Sequence, residues 1–272
     1  MQNNIDFLRC NAQIQSHGWS SGSGWEPISS FFGSSLDGQN KHISNLFISG
    51  SGKAFINNLQ GGSEIKNLGL LNVYISSTSN RVGSFAGEAN GAYIYNSFAI
   101  GSVKTSSSPS QVGGLVGINF YSEIEESYFR GSVEGLGNNV GGLIGETESG
   151  GVYRSHVIGS VEGLGNNVGG LIGYVHWGNN YINESFVVGS VTGEEFVGGL
   201  VGYAYHDYAN IRNSYSEAII TGSSNVGGLV GSSGGSFPIT GDSYWFNYST
   251  DDATQCVSDW DTSGTDCYAV QR

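Results

Sequence analysis

The sequence predicts an all-β fold, a parallel β-helix or β-solenoid with about seven or eight coils of 28 to 30 residues. The first observation is a phrase, Val-Gly-Gly-Leu-(Val/Ile)-Gly, that recurs along the chain. Its five copies and one variant begin at Val82, Val112, Val140, Val168, Val197 and Val226, at intervals of 30, 28, 28, 29 and 29 residues. A unit of this length cannot bury its apolar side alone, whereas like units stacked along an axis can.

Two further phrases recur in the same order and give each unit three short strand-like runs. Ile-x-x-Ser with a following aromatic residue begins at Ile94, Ile124, Ile182 and Ile211, and Val152 begins a version with His156 in the aromatic slot. Gly-Ser-Val begins at Gly101, Gly131, Gly159 and Gly189. Short runs with alternating apolar residues indicate strands rather than helices. We expect each run to pair in parallel with its copy one coil away.

The glycine pair of the first phrase is expected to form a corner. Val112 and Leu115 are three residues apart, so a flat strand would send them to opposite faces. If both point inward, the chain must bend at the glycines, which residues without Cβ tolerate best. The equivalent leucines should then form one interior column of Leu115, Leu143, Leu171, Leu200 and Leu229.

Composition excludes several other classes. Glycine supplies 45 of 272 residues, but it lacks the regular spacing of collagen, and apolar residues are too abundant for a disordered chain. A net charge of −13 with scattered basic residues disfavours nucleic acid and anionic membranes as partners. No apolar run is long enough for a membrane span, and Met1 to Asp6 lacks signal-peptide features. We therefore expect a soluble monomer. If the protein is secreted, its signal peptide was removed or lies upstream in a longer parent protein.

The chain is interpreted as one domain, 1–272, with repeat coils over 43–236. Residues 1–42 and 237–272 lack the repeat phrase and are expected to cap the open ends of the stack. The spacing of Cys256 and Cys267 suits a small disulfide loop and no zinc motif, which would fit an oxidising compartment.

These phrases resemble the GLUG repeat family, and the resemblance covers nearly the whole chain. Trp25 to Ile28 is similar to the opening segment of such proteins, while Tyr244-Trp245 and Trp260 to Gly264 are similar to the closing segment. The resemblance implies a right-handed β-helix-like module of large bacterial surface proteins, including adhesins and non-catalytic regions of immunoglobulin A peptidases. It implies an extracellular or cell-surface location and brings no catalytic residues.

A ligand-binding patch is predicted on the turns that follow Gly173 and Gly202, because stacking aligns equivalent turns. Its members are the aromatic residues Trp177, Tyr205 and Tyr208, edged by His176, His206, Asn179 and Asp207. Aromatic rings beside polar groups suit sugar rings or a protein partner, so a glycan or a host or cell-surface protein is the expected ligand. Alternatively, the rings fold back over the edge of the solenoid, which is expected for Tyr174 and Tyr203 rather than for Trp177 and Tyr205.

Two other functions compete with a structural and adhesive module. A polysaccharide lyase would need a basic row, for which Arg130, Arg154 and Arg212 are candidates. A glycosidase would need two close carboxylates, but Glu126 and Glu184 lie two coils apart with Arg154 between them. An ice-binding protein would need a threonine ladder, but the outward hydroxyls here belong to Ser102, Ser132, Ser160 and Ser190. Neither enzymatic activity nor ice binding is the favoured interpretation.

No cofactor is expected, although calcium binding remains open. Asp259, Asp261 and Asp266 imitate the beginning of a calcium loop, but Val270 stands where a bidentate glutamate belongs. The segment coincides with the closing segment and is interpreted as a capping turn.

Overall fold

The computed structural model describes residues 4–6, 24–108, 111–205, 209–235, 239, 241–247, 255–258 and 267–271. Regular structure within these ranges is entirely β, and no helix there is long and apolar enough to cross a membrane. The strands are β1 (Ile5–Asp6), β2 (Phe31–Phe32), β3 (Ser35–Ser44), β4 (Phe47–Gly50), β5 (Ile56–Gln60), β6 (Glu64–Ser77), β7 (Ala86–Asn90), β8 (Tyr93–Tyr95), β9 (Phe98–Thr105), β10 (Val112–Gly113), β11 (Val116–Glu125), β12 (Tyr128–Gly135), β13 (Val140–Gly141), β14 (Ile144–Tyr153), β15 (His156–Gly163), β16 (Val168–Gly169), β17 (Ile172–Val175), β18 (Asn180–Asn183), β19 (Phe186–Thr192), β20 (Glu195–Gly198), β21 (Val201–Ala204), β22 (Ala209–Arg212), β23 (Tyr215–Thr221), β24 (Ser224–Gly227), β25 (Val230–Ser233), β26 (Ser243–Asn247) and β27 (Cys267–Gln271).

Parallel pairing stacks successive turns in register, and the prediction of an all-β parallel solenoid is confirmed. One column of paired residues passes through about seven turns, namely Ile56, Ala86, Val116, Ile144, Ile172, Val201 and Val230. Isolated bridges extend this column by Ile28 at one end and Val257 at the other. At about 4.8 Å between paired strands, the stack is roughly 40 Å long.

Each turn contains more strand segments than the three runs expected from the sequence. The glycine phrase is divided, because the chain bends at Gly114 and Leu115 and leaves Val112–Gly113 as a separate strand. The five Val-Gly strands β10, β13, β16, β20 and β24 form a sheet of their own. Conversely, the aromatic slot and the Gly-Ser-Val phrase share one strand, as in Tyr128–Gly135.

The leucine column is confirmed as the interior of the stack. All five leucines, Leu115, Leu143, Leu171, Leu200 and Leu229, are completely buried. Each of the first four donates its backbone N–H to the carbonyl of the next leucine, and Leu229 donates to the carbonyl of Cys256. The glycines beside them allow this close approach. A Cβ on Gly114 would collide with the carbonyl oxygen of Gly142 and with the ring of Phe129.

A row of buried serines forms the second corner and explains the Ile-x-x-Ser phrase. The Oγ of Ser97 accepts the backbone N–H of Leu68, and every later Oγ accepts the backbone N–H of the preceding serine in the row. Each Oγ also donates to the carbonyl two residues back; Ser155, for example, accepts from Ser127 at 3.1 Å and donates to Tyr153 at 2.7 Å. The row comprises Ser97, Ser127, Ser155, Ser185, Ser214 and Ser243. The residue before each of the first five serines has a positive φ between 44° and 51°, which turns the chain.

Regular stacking extends beyond the predicted coil limits. β3 spans the predicted boundary after residue 42 and pairs in parallel with β6, so the first described turn already has the solenoid register. β26 and β27 likewise continue the parallel pairing inside the segment expected to be a cap. A disulfide joins Cys256 and Cys267, whose Cα atoms are 6.4 Å apart.

We expect Leu171→Ala to lower the free energy of unfolding by about 2 to 5 kcal/mol, because it removes a buried side chain from the column. Leu164→Ala is the matched control, since the Leu164 side chain is 60% exposed, and it should change that free energy by less than about 0.5 kcal/mol. Urea unfolding followed by circular dichroism measures both. Equal effects of the two substitutions would contradict the placement of Leu171.

Candidate ligand-binding groove and aromatic cluster

An open groove of about 480 Å³ runs along the outside of the middle turns. We call it the amide groove, because it is lined by Gln111, Asn138, Asn139, Asn166 and Asn167, with Tyr174, Phe196 and Tyr203. Asn139 and Asn167 precede the glycine phrase and have φ values of 58° and 63°, a region that asparagine tolerates better than most residues. The repeat therefore places amide side chains at this position on three successive turns, Gln111, Asn139 and Asn167, and Phe196 occupies it on the next.

Hydrogen bonds hold these amides in fixed orientations. Asn167 donates to Oδ1 of Asn139 at 2.7 Å, and Asn139 donates in turn to Oε2 of Glu146 at 2.8 Å. Gln111 donates to the same carboxylate oxygen at 2.9 Å. The groove thus presents a line of oriented amides that ends on a buried carboxylate.

Aromatic rings form the other wall of the amide groove. Tyr174 and Tyr203 stack with ring centroids 5.6 Å apart, and Phe196 lies 5.0 Å from Tyr203. Both tyrosines are half-buried, as expected for rings that lie against the core strand. Burial, reinforced by the nearby Glu146, raises the pKa of Tyr174 to about 12, so its hydroxyl stays a neutral donor.

His176, Trp177 and Tyr205 lie together next to the groove, and we call them the aromatic cluster. The ring of Trp177 meets that of Tyr205 edge-on at 5.3 Å and that of His176 at 5.2 Å. Trp177 is 47% exposed, whereas Tyr205 is half-buried. Asn179 is exposed on the same turn. The predicted members Tyr208, His206 and Asp207 lie outside the described residues.

A buried polar network inside the solenoid supports the turn that carries Trp177. Asn180 donates to the carbonyl oxygens of Trp177 and Gly178 at 2.9 and 3.0 Å and accepts from Oγ1 of Thr147 at 2.9 Å. Asn119, which lies one turn before Thr147, donates to Oγ1 of Thr147 at 3.1 Å. Sequence reasoning missed this network, although the register places Thr147 opposite Asn119 and would have revealed two adjacent polar residues in an inward column.

A second aromatic surface, the aromatic ladder, occupies the slot after the serine row. Its rings stack nearly parallel, with centroids 4.6 to 5.0 Å apart, in the order Phe98, Tyr128, His156, Phe186 and Tyr215. All five are half-buried. Burial between two rings lowers the pKa of His156 below its ordinary value.

Two of the residues weighed for enzyme chemistry, Arg154 and Glu126, form an ion pair. Arg154 pairs with Glu125 and Glu126, and Glu134 pairs with Lys104 at 2.5 Å. Arg154 therefore separates Glu126 from Glu184, as the sequence indicated. The calcium-loop candidates Asp259, Asp261 and Asp266 lie outside the described residues.

The fold and its outward rows define a class of protein, a parallel β-solenoid whose repeated turns present stacked side chains. Within this class, a family model described as the GLUG motif matches residues 108–134 and 197–221. The resemblance to the GLUG-repeat family is confirmed, and the chain carries GLUG repeats. These matches fit a module of a surface protein.

Two known proteins are similar to the chain. Halomucin of Haloquadratum walsbyi is 36% identical over an alignment of 126 residues that covers 44% of this chain and 1% of halomucin. The chain thus matches only a very small part of that relative. A crystal structure of a "putative immunoglobulin A1 protease" from Bacteroides ovatus aligns with 100% of this chain and 76% of its own, with a TM-score of 0.64 and 20% identity. That likeness shows the fold alone.

We expect His156 to make the protein less stable as the pH falls. Because its pKa is lowered in the folded state, the unfolded chain binds the proton more readily, and stability is lost as the pH falls through the unfolded value of about 6.5. His156→Phe should remove this part of the pH dependence while keeping the stack. Urea unfolding of both proteins at about pH 7.5 and about pH 5.5 measures the difference. An identical loss of stability in both would show that His156 does not contribute.

Proposed function

We propose that the chain is a ligand-binding module of a secreted or cell-surface protein and that its ligand is a neutral glycan held in the amide groove. The oriented amides beside the stacked rings of Tyr174 and Tyr203 are the observation that carries this proposal. Amide groups donate and accept hydrogen bonds as sugar hydroxyls require, while aromatic faces cover the apolar faces of sugar rings.

Charge favours a neutral glycan over an acidic one. The chain has a net charge of −13. The carboxylates of Glu146 and Glu195 lie against the groove, where they accept hydrogen bonds from Asn139 at 2.8 Å and from Asn166 at 3.1 Å. An anionic polysaccharide would be repelled by both carboxylates and by the protein as a whole.

The length of the site suits an extended polymer. Successive turns repeat the amide wall at about 4.8 Å, close to the length of one sugar residue, so several sugars can lie along the solenoid axis. The aromatic cluster continues the surface beyond Tyr174, since the ring of His176 lies 5.1 Å from that of Tyr174. Several weak contacts along one polysaccharide chain then combine into a higher overall affinity.

We further propose that the module binds without turnover and works outside the cell. Glu126, which was weighed above for glycoside chemistry, forms an ion pair with Arg154, and Glu134 forms one with Lys104. The Cys256–Cys267 disulfide supports an oxidising compartment.

The test is a panel of neutral and acidic polysaccharides in a binding array, followed by calorimetry on the best ligand. We expect the double variant Trp177→Ala, Tyr205→Ala to bind at least about tenfold more weakly, because the lost aromatic contacts are worth more than about 1.4 kcal/mol. Tyr93→Ala is the matched control, since Tyr93 is 48% exposed and lies on a different turn.

An array in which no polysaccharide binds would contradict glycan binding. Binding that survives the double variant would contradict the extension of the site over the aromatic cluster. Thermal unfolding of each variant within a few degrees of the unmodified protein excludes a folding defect. Release of oligosaccharide by the purified protein would instead support the enzyme class.

A further inference from the structure

Glu146, Glu148 and His176 bring three metal-ligating side chains together beside the amide groove. Glu146 and Glu148 are two residues apart on β14, so their side chains point to the same side of the strand. His176 follows β17 on the next turn. Its backbone N–H donates to the carbonyl of Thr147 at 2.9 Å, which fixes His176 beside the two glutamates. Among the residues that the structure describes, this is the one group of three such ligands whose donor atoms all lie within 4.8 Å.

The imidazole faces both carboxylates without a hydrogen bond to either. Nδ1 of His176 lies 3.4 Å from Oε1 of Glu146 and 3.3 Å from Oε1 of Glu148. That nitrogen is shielded from solvent and has no hydrogen-bond partner among the described residues. A buried nitrogen of this kind is costly unless another ligand satisfies it.

The two distances from His176 to the carboxylates match the edges of a small metal coordination sphere, and all three donor atoms lie within 4.8 Å of one another. Ligands about 2.0 to 2.2 Å from a tetrahedral zinc ion are separated from each other by about 3.3 to 3.6 Å. Calcium prefers six to eight oxygen ligands, so an imidazole nitrogen among two carboxylates indicates a transition-metal ion of the zinc type.

A second layer of hydrogen bonds orients the most buried ligand. The side chain of Glu146 is 9% exposed, and its Oε2 accepts amide donors from Gln111 and Asn139 at 2.9 and 2.8 Å. These donors leave Oε1 directed at His176, which is how outer groups fix a ligating carboxylate in metal sites. Two ionised carboxylates beside an imidazole also attract a cation electrostatically.

We propose that Glu146, Glu148 and His176 form a zinc-type divalent metal site, each contributing one donor atom. The bound ion joins two successive turns at the point where the amide groove meets the aromatic cluster. Metal binding at this site does not depend on the proposed glycan, so either proposal can fail without the other.

Isothermal titration with zinc chloride, after dialysis against a chelator, tests this site without any glycan. We expect one zinc ion per chain, and at least about tenfold weaker binding by His176→Gln and by Glu148→Gln, since each variant loses a ligand. Glu148 is the safer change for folding, because its side chain is 30% exposed. Glu162→Gln makes the same chemical change on an exposed strand position and should bind zinc normally.

Two results would overturn the proposal. Absence of measurable binding to the unmodified protein would mean that His176 and the glutamates form only an ion pair. Binding that both variants retain would place the ion elsewhere on this acidic chain. Circular dichroism of Glu148→Gln confirms that a loss of binding is not a loss of fold.

Discussion

Backbone pairing in register between successive turns is the constraint on which the rest of the structure depends. Every 28 to 30 residues the chain must return to the same place, one strand spacing further along, so that each residue meets its counterpart. The leucine column and the serine row both satisfy this condition, one by filling the interior and the other by giving a buried N–H its acceptor at every turn. A turn with a different residue at the serine position would leave that N–H unpaired, at a cost of about 1 to 3 kcal/mol.

The same constraint organises the surface. Because like positions stack, an aromatic slot becomes a ladder of parallel rings, and an asparagine before the glycine phrase becomes a line of amides. The candidate sites lie where this repetition is interrupted. Glu146 occupies a position that Tyr174 and Tyr203 fill on later turns, and Phe196 replaces the asparagine. Repetition thus supplies a regular scaffold, and the exceptions supply chemical variety.

The sequence was sufficient for the parallel solenoid and for the leucine column, because exact spacing and apolar identity determine both. It was insufficient for the path of each turn, since the bend at Gly114 and Leu115 divides one phrase between two strands. It also placed Trp177 and Tyr205 on equivalent turns, but their contact depends on the buried network around Asn180. The sequence also contained the signal for pairing Glu148 with His176, because the 28-residue offset of the glycine phrase aligns the two positions and the later turn gains its two extra residues only after them.

Deleting one whole turn tests the central claim most directly. Removal of residues 145–172 joins Ile144 to Gly173 and preserves the register, because Ile144 and Ile172 are paired equivalents. The shortened protein should keep its β-sheet circular dichroism and a cooperative unfolding transition, since stability is shared among neighbouring turns. Removal of residues 146–172, one residue fewer, should destabilise it strongly, because a one-residue slip sends inward side chains outward. Equal stability of the two deletion variants would contradict a fold governed by register.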